Sequence, residues 1–158
     1  MKAFRNLAFM ALIFSLVACA TNQEKATAET SSKTETAATT PAPTSTKNRI
    51  EVMEFYSTHR CATCNDIEAN TKYTLNTYFS KELKDGTITY QSLNVDEEPN
   101  VPVAEKFEAA GTALFLNVVV NNNETQIDLT DFAFMKGRNQ KEFSDELKSK
   151  IEAQLKNL

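Results

Sequence analysis

Apolar side chains are sparse between residues 21 and 48, then recur in short bursts to the end of the chain. Arg49–Tyr56 reads as a strand. Between Cys61 and Leu83, Ile67, Leu75, Tyr78, Phe79 and Leu83 return near the helical period, which predicts one helix stopped by Asp85-Gly86. Thr87–Val95 predicts a second strand, with Ile88, Tyr90, Leu93 and Val95 as its apolar set and a phase change at Ser92. Asp96–Ala110 predicts a turn and a short helix. Pro99 and Pro102 sit near its start, where a missing N–H costs little, and Gly111 closes it. Ala113–Val120 is a near-continuous apolar run, as in a strand covered on both faces. Asn121-Asn122-Asn123 can supply the positive φ angles of a hairpin turn, and Thr125–Leu129 pairs back. Asn139 and Glu142 make a capping-box pattern; Phe143, Leu147, Ile151 and Leu158 then stripe a last helix, with Leu155 at its flank. The order is β-α-β-α-β-β-α, an α/β domain over residues 49–158. Strands separated by helices are expected to run parallel, and the hairpin antiparallel. All three glycines, Gly86, Gly111 and Gly137, fall at proposed boundaries, so local and global signals agree.

The front of the chain follows other rules. Lys2 and Arg5 precede an apolar run, Leu7 to Val17, that is too short to span a bilayer. It ends in Leu16-Val17-Ala18-Cys19, which resembles the lipobox of bacterial lipoproteins. That resemblance implies a signal peptide over 1–18, a diacylated Cys19 as the mature N-terminus and membrane attachment through the lipid. An ordinary cleaved signal peptide with a chance cysteine is the alternative. Thr21 to Asn48 is rich in Thr, Ala, Ser, Glu and Lys and lacks Leu, Ile, Val and aromatics. Such a stretch buries too little apolar surface to offset its ordering entropy, so residues 19–48 read as a lipidated cysteine and a disordered tether. The expected location is the bacterial cell envelope, with the domain outside the cytoplasm, in the periplasm.

The formal charge of the whole chain is −4, and no basic stripe appears, which argues against nucleic acid as a partner. The chemistry concentrates in His59-Arg60-Cys61-Ala62-Thr63-Cys64, between the first strand and the first helix. Two-residue spacing returns Cys64 to the face of Cys61 one helical turn on, within disulfide range. Cys61 at the helix N-terminus meets unpaired N–H groups and the positive end of the dipole, which favour a thiolate. Arg60 and protonated His59 add positive charge. Cys61 is therefore the expected nucleophile and Cys64 the resolving thiol; a static structural disulfide is the bland alternative. Glu54, in a strand expected to be covered on both faces, is a candidate proton relay to Cys64 or else a strand-edge carboxylate that reaches water or a lysine. His59, the sole histidine, is an exposed loop residue or, with Cys61 and Cys64, part of a site for Cu(I), Zn(II) or arsenite. The cysteines carry electrons without an organic cofactor.

This order, with a CxxC opening the first helix, resembles the thioredoxin fold: a three-layer α/β/α domain around a central mixed sheet. Asn94-Val95-Asp96-Glu97-Glu98-Pro99-Asn100, Ala104-Glu105-Lys106-Phe107, Leu114-Phe115-Leu116, Lys136-Gly137 and Glu142-Phe143 resemble the corresponding thioredoxin segments. The likeness runs from about Ile50 to Leu155. The chain is also similar to small thioredoxin-like lipoproteins of Bacteroidota-type bacteria, some labelled as a nitrophenyl-compound nitroreductase subunit. The resemblance implies a thiol–disulfide oxidoreductase, monomeric, whose partner is another envelope protein with a thiol or disulfide. It departs from the family in three places. The motif lacks the Trp-Cys-Gly-Pro-Cys text. Ala113 stands where a cis-proline normally faces the cysteines, so Thr112-Ala113 is expected to be trans and to give that substrate-facing loop a different backbone. The buried acid is matched only approximately by Glu54.

Overall fold

The computed structural model describes residues 47–158. The proposed signal peptide, Cys19 and the tether up to residue 46 lie outside the described residues. Four strands, β1 (Arg49–Tyr56), β2 (Ile88–Asn94), β3 (Ala113–Val120) and β4 (Asn123–Asp128), form one sheet in the order β2-β1-β3-β4. β1 and β2 are parallel, while β3 runs antiparallel to both β1 and β4. The parallel expectation thus holds for β1 and β2 and fails for β3, although a helix separates β3 from β2. The sheet is mixed, with helices on both faces: the thioredoxin-like α/β arrangement.

Among the described residues, five helices surround it: α1 (Ala62–Tyr78), α2 (Ser80–Asp85), α3 (Val101–Lys106), α4 (Thr130–Lys136) and α5 (Gln140–Leu155), with a 3-10 turn at Glu98–Asn100 before α3. The single helix expected from Cys61 to Leu83 is two, broken at Phe79, whose ring is buried and whose N–H still bonds Leu75 O. Gly86 ends α2 at φ +75°, a conformation that suits glycine. Helix α4 was not expected. Two turns are too short to register a period, and only Phe132 and Ala133 mark its buried side.

Alternation along β1 sorts the core. Ile50 and Val52 join Ile67, Leu75, Ile88, Leu114, Leu116, Phe143, Leu147 and Ile151 on the α1/α5 side. Met53 and Phe55 join Ala104, Phe107, Ala113 and Phe115 on the α3 side. β2 is split the same way: Tyr90 packs with the first cluster, Leu93 and Val95 with the second. No phase change at Ser92 is needed; both faces of the strand are covered, so both carry apolar residues. Positive φ at Asn121 and Asn122 turns the β3–β4 hairpin as expected. Asn139 caps α5, accepting from Glu142 N–H at 3.2 Å and donating to its carboxylate at 2.9 Å. No helix among the described residues is long and apolar enough to cross a membrane.

Candidate functional site: the Cys61–Cys64 pair and the carboxylate behind it

Cys61 is the N-cap of α1 and is exposed; Cys64 lies one turn on, 8% exposed. They form a disulfide, with Cα atoms 5.0 Å apart. Cys61 Sγ also accepts the Cys64 backbone N–H at 3.0 Å, so the sulfur occupies the place of a capping oxygen. A thiolate there would accept the same N–H and meet the positive end of a 17-residue helix.

The loop that delivers Cys61 is pinned from two sides. Asp96 accepts Thr58 N–H at 2.8 Å, which holds the Asp96 carboxyl below its usual range, and buried Asn94 donates to Thr58 Oγ1 at 3.1 Å. A Cβ on Gly111 would lie 3.5 Å from Ser57 Oγ, so the segment entering β3 runs beside the same loop. That segment contains Thr112 and Ala113. Ala113 is buried and pairs with Phe55, and no cis peptide bond occurs among the described residues, so Thr112-Ala113 is trans as expected.

Glu54 is fully buried on the α1/α5 side of β1. Tyr90 of β2 donates its hydroxyl to Glu54 Oε2, and Arg60 Nη2 lies 3.3 Å from Oε1. Burial dominates and raises the Glu54 pKa to about 7; the Tyr90 hydrogen bond and Arg60 oppose it, and nearby Glu68 adds to the rise. Burial and the Glu54 charge in turn push the Tyr90 phenol upward. The strand-edge alternative for Glu54 is therefore wrong: it reaches neither water nor a lysine.

Arg60 has partners that the sequence did not reveal. Its guanidinium lies over the Tyr56 ring at 4.4 Å, ion-pairs with Glu68 through Nη1 and donates from Nη2 to Cys64 O at 3.2 Å. Its charge is balanced by two carboxylates rather than offered to Cys61 alone. Arg60 thereby ties Glu54 to the first turn of α1. Glu68, held below the usual carboxylate range by Lys72 and Arg60 against its partial burial, completes the chain. His59 is exposed, and among the described residues no group of three or more His, Cys, Asp or Glu side chains is placed to hold a metal ion. The three-ligand set His59, Cys61 and Cys64 is not assembled with the disulfide closed.

Sequence reasoning missed four participants. Tyr90 read as core; a buried carboxylate on the adjacent parallel strand was the signal that a donor was needed. Glu68 lies two turns into α1. Gly137 and Arg138, between α4 and α5, dock on the motif: Arg138 Nε donates to Thr63 Oγ1 at 3.0 Å, and Gly137 O accepts from buried Asn70 at 2.7 Å. A Cβ at Gly137 would meet Ala133 O at 2.7 Å and Thr63 Cγ2 at 3.2 Å, so only glycine allows this approach.

No protein-family model matches the chain, and no curated protein matches it. Among solved structures it is similar to the Trx4 domain of ERdj5, at 12% identity over 70% of this chain and 82% of that one, with a TM-score of 0.47. It is similar to Fasciola hepatica thioredoxin at 17% identity over 58% and 79% of the two chains, TM-score 0.38. For Plasmodium falciparum thioredoxin the values are 20%, 57% and 69%, with a TM-score of 0.39. The strand order and pairing of this structure carry the assignment by themselves: a thioredoxin-like α/β fold with a CxxC disulfide at the start of its first helix.

Proposed function

We propose that the protein is a thiol–disulfide oxidoreductase acting through Cys61 and Cys64, tethered to a membrane by a lipid on Cys19, with its domain outside the cytoplasm. The carrying observation is the asymmetric pair: an exposed sulfur at a helix N-cap, bonded to a buried one a turn later. In the reducing direction, the Cys61 thiolate attacks one sulfur of a client disulfide. A mixed disulfide forms and the client's other sulfur leaves as a thiolate, which takes a proton. Cys64 then loses its proton, attacks Cys61 Sγ and expels the second client thiolate, closing the Cys61–Cys64 bond. The oxidising direction is the same path reversed. Glu54 is the proton acceptor assigned to Cys64, because a carboxyl raised to about 7 exchanges protons near neutrality. Arg60 positions it, and Thr112-Ala113 lies in the segment assigned to face the client. The leader and the lipobox-like Leu16-Val17-Ala18-Cys19 support the envelope location and an envelope protein as client.

The test is a redox titration of the wild type, Cys61→Ser and Cys64→Ser with a dithiol. Cys61→Ser should abolish exchange, and Cys64→Ser should leave Cys61 trapped in a mixed disulfide. Full exchange by Cys61→Ser, or no interconversion of the wild type, would overturn the reading.

A further inference from the structure

The two edge strands of the sheet, β2 and β4, are built differently. β4 is blunted. It carries Glu124 and Asp128, Lys106 pairs with Glu124, and Gln126 donates to Lys106 O at 3.4 Å. Charges of this kind are how natural edges resist pairing. β2 has none. Ile88-Thr89-Tyr90-Gln91-Ser92-Leu93-Asn94 contains no charged residue, no proline and no glycine, and Ile, Thr and Tyr favour strands. That is the composition of a segment that pairs with copies of itself.

The register fixes which backbone groups of β2 are open. Ile50 N–H donates to Thr87 O at 2.9 Å and Val95 N–H to Tyr56 O at 2.8 Å, which brackets the β1–β2 ladder. In a parallel pair every second residue turns its N–H and C=O to the neighbour, so Thr89, Gln91 and Leu93 face β1. Ile88, Tyr90, Ser92 and Asn94 face outward. Asn94 O is already taken, by Glu97 N–H at 3.2 Å and Asn100 Nδ2 at 2.9 Å. The backbone groups of Ile88, Tyr90 and Ser92 have no hydrogen-bond partner among the described residues.

β2 of a second copy offers the same spacing of open groups. Placed antiparallel about a two-fold axis at Tyr90, Ile88 of each copy meets Ser92 of the other and Tyr90 meets Tyr90, so every open group finds a partner. A slip of one residue sets open groups against groups already bonded to β1. The next register pairs Ile88 with Asn94, whose carbonyl is occupied, or carries Ser92 past the strand end. On the α3 side Thr89 faces Gln91 of the second copy, so no like charges oppose each other. On the α1/α5 side each Tyr90 hydroxyl is held by its own Glu54, which draws the ring back over its own sheet.

We infer that β2 is a self-association edge: two copies of this chain pair antiparallel through Ile88–Ser92, centred on Tyr90, into one continuous sheet. This departs from the monomer that the thioredoxin resemblance implies, and it does not rest on the thiol chemistry. The contact does not include the cysteine loop. One short edge gives a reversible dimer, with a dissociation constant on the order of 10–100 µM.

The experiment uses the full chain from about 1 µM to about 1 mM, with mass read by sedimentation and amide exchange read residue by residue. The mass should double across this range. Exchange at the Ile88, Tyr90 and Ser92 N–H groups should slow at least about fivefold, while Thr89 and Gln91, bonded to β1 throughout, change little. Thr89→Lys with Gln91→Lys sets like charges across both facing pairs and should stay monomeric, as should Thr89→Glu with Gln91→Glu. An equimolar mixture of these two variants should dimerise again, which a folding defect cannot mimic. Thr89→Cys mixed with Gln91→Cys, each on a Cys61→Ser/Cys64→Ser background, should cross-link on oxidation, because the facing Cα atoms would lie about 4.5 Å apart. Mass spectrometry identifies the 89–91 link, and neither variant alone should form a link at its own new cysteine. A constant monomer mass up to about 1 mM overturns the inference. So does doubling without protection at Tyr90, a charge-swapped mixture that stays monomeric, or equal cross-linking by either cysteine variant alone. Protection that ignores concentration and is lost on deleting residues 21–46 would give the edge to the chain's own N-terminal segment and overturn it as well.

Discussion

Strand β1 shows different chemistry to the helices on its two sides. Toward α3, Phe55 meets Phe107 and Phe115 with ring centroids 5.4 and 6.0 Å away, and those two rings lie 5.3 Å apart. Toward α1, its neighbour Glu54 meets Tyr90 and Arg60. Around Phe55 the first side is apolar; at Glu54 the other holds a carboxylate next to the first turn of the cysteine helix. The aromatic cluster is packing alone, although the polar Glu51–Asn117 pair lies further along the same face, and it fixes the strand. The polar side costs desolvation, and that cost is what moves Glu54 into the range where it trades protons at neutral pH. Adjacent residues of a strand can take opposite duties because the pleat sends their side chains to opposite layers.

The largest effect should come from the aromatic side. Phe55→Ala should lower unfolding stability by about 3–5 kcal/mol in urea titration, while exchange per folded molecule stays near wild type. A parallel loss of exchange per folded molecule would show that the two sides are not separable.

Next comes the polar side, through pH. Glu54 titrates near 4.5 unfolded and about 7 folded. The native state therefore binds the extra proton between those values, and its stability falls as pH rises from about 4.5 to 7. The fall attributable to this group is roughly 3 kcal/mol. Glu54→Gln cannot titrate and should lack it. Asp96 and Glu68, both lowered, act with the opposite sign, so the quantity to measure is the difference between variant and wild-type stability across pH 4.5–8. Parallel curves for the two proteins would refute a buried, raised carboxyl at this position.

The smallest effect concerns the loop that reaches the motif from outside the sheet. Gly137→Ala should cost about 1–3 kcal/mol, since its methyl meets a backbone oxygen that cannot easily move. It should also slow exchange by shifting Thr63 and Arg138. Unchanged stability together with unchanged exchange would mean that this contact does not support the site.

Legibility in the sequence followed the length of the physical signal. β3, the asparagine turn and the α5 cap were readable because each depends on neighbours in the chain. The α1–α2 break was not: Phe79 and Leu83 both pack into the same core as Ile67 and Leu75, so the period persists across the interruption. Cys61 and Cys64 were readable because a two-residue spacing and a helix start suffice to bring them together. Arg60 was located but its partners were not, since they are Glu54 and Glu68, which lie six and eight residues away on different elements.

The sequence alone determined the alternation of strands and helices, the hairpin turn and the cysteine pair at a helix start, all set by local sterics, periodicity and spacing. Tertiary structure decided the direction of β3, the company of Glu54 and the approach of Gly137 to Thr63. Those depend on which surfaces meet when strands pair and helices dock, and side chains distant in the chain settle that only once the core has formed.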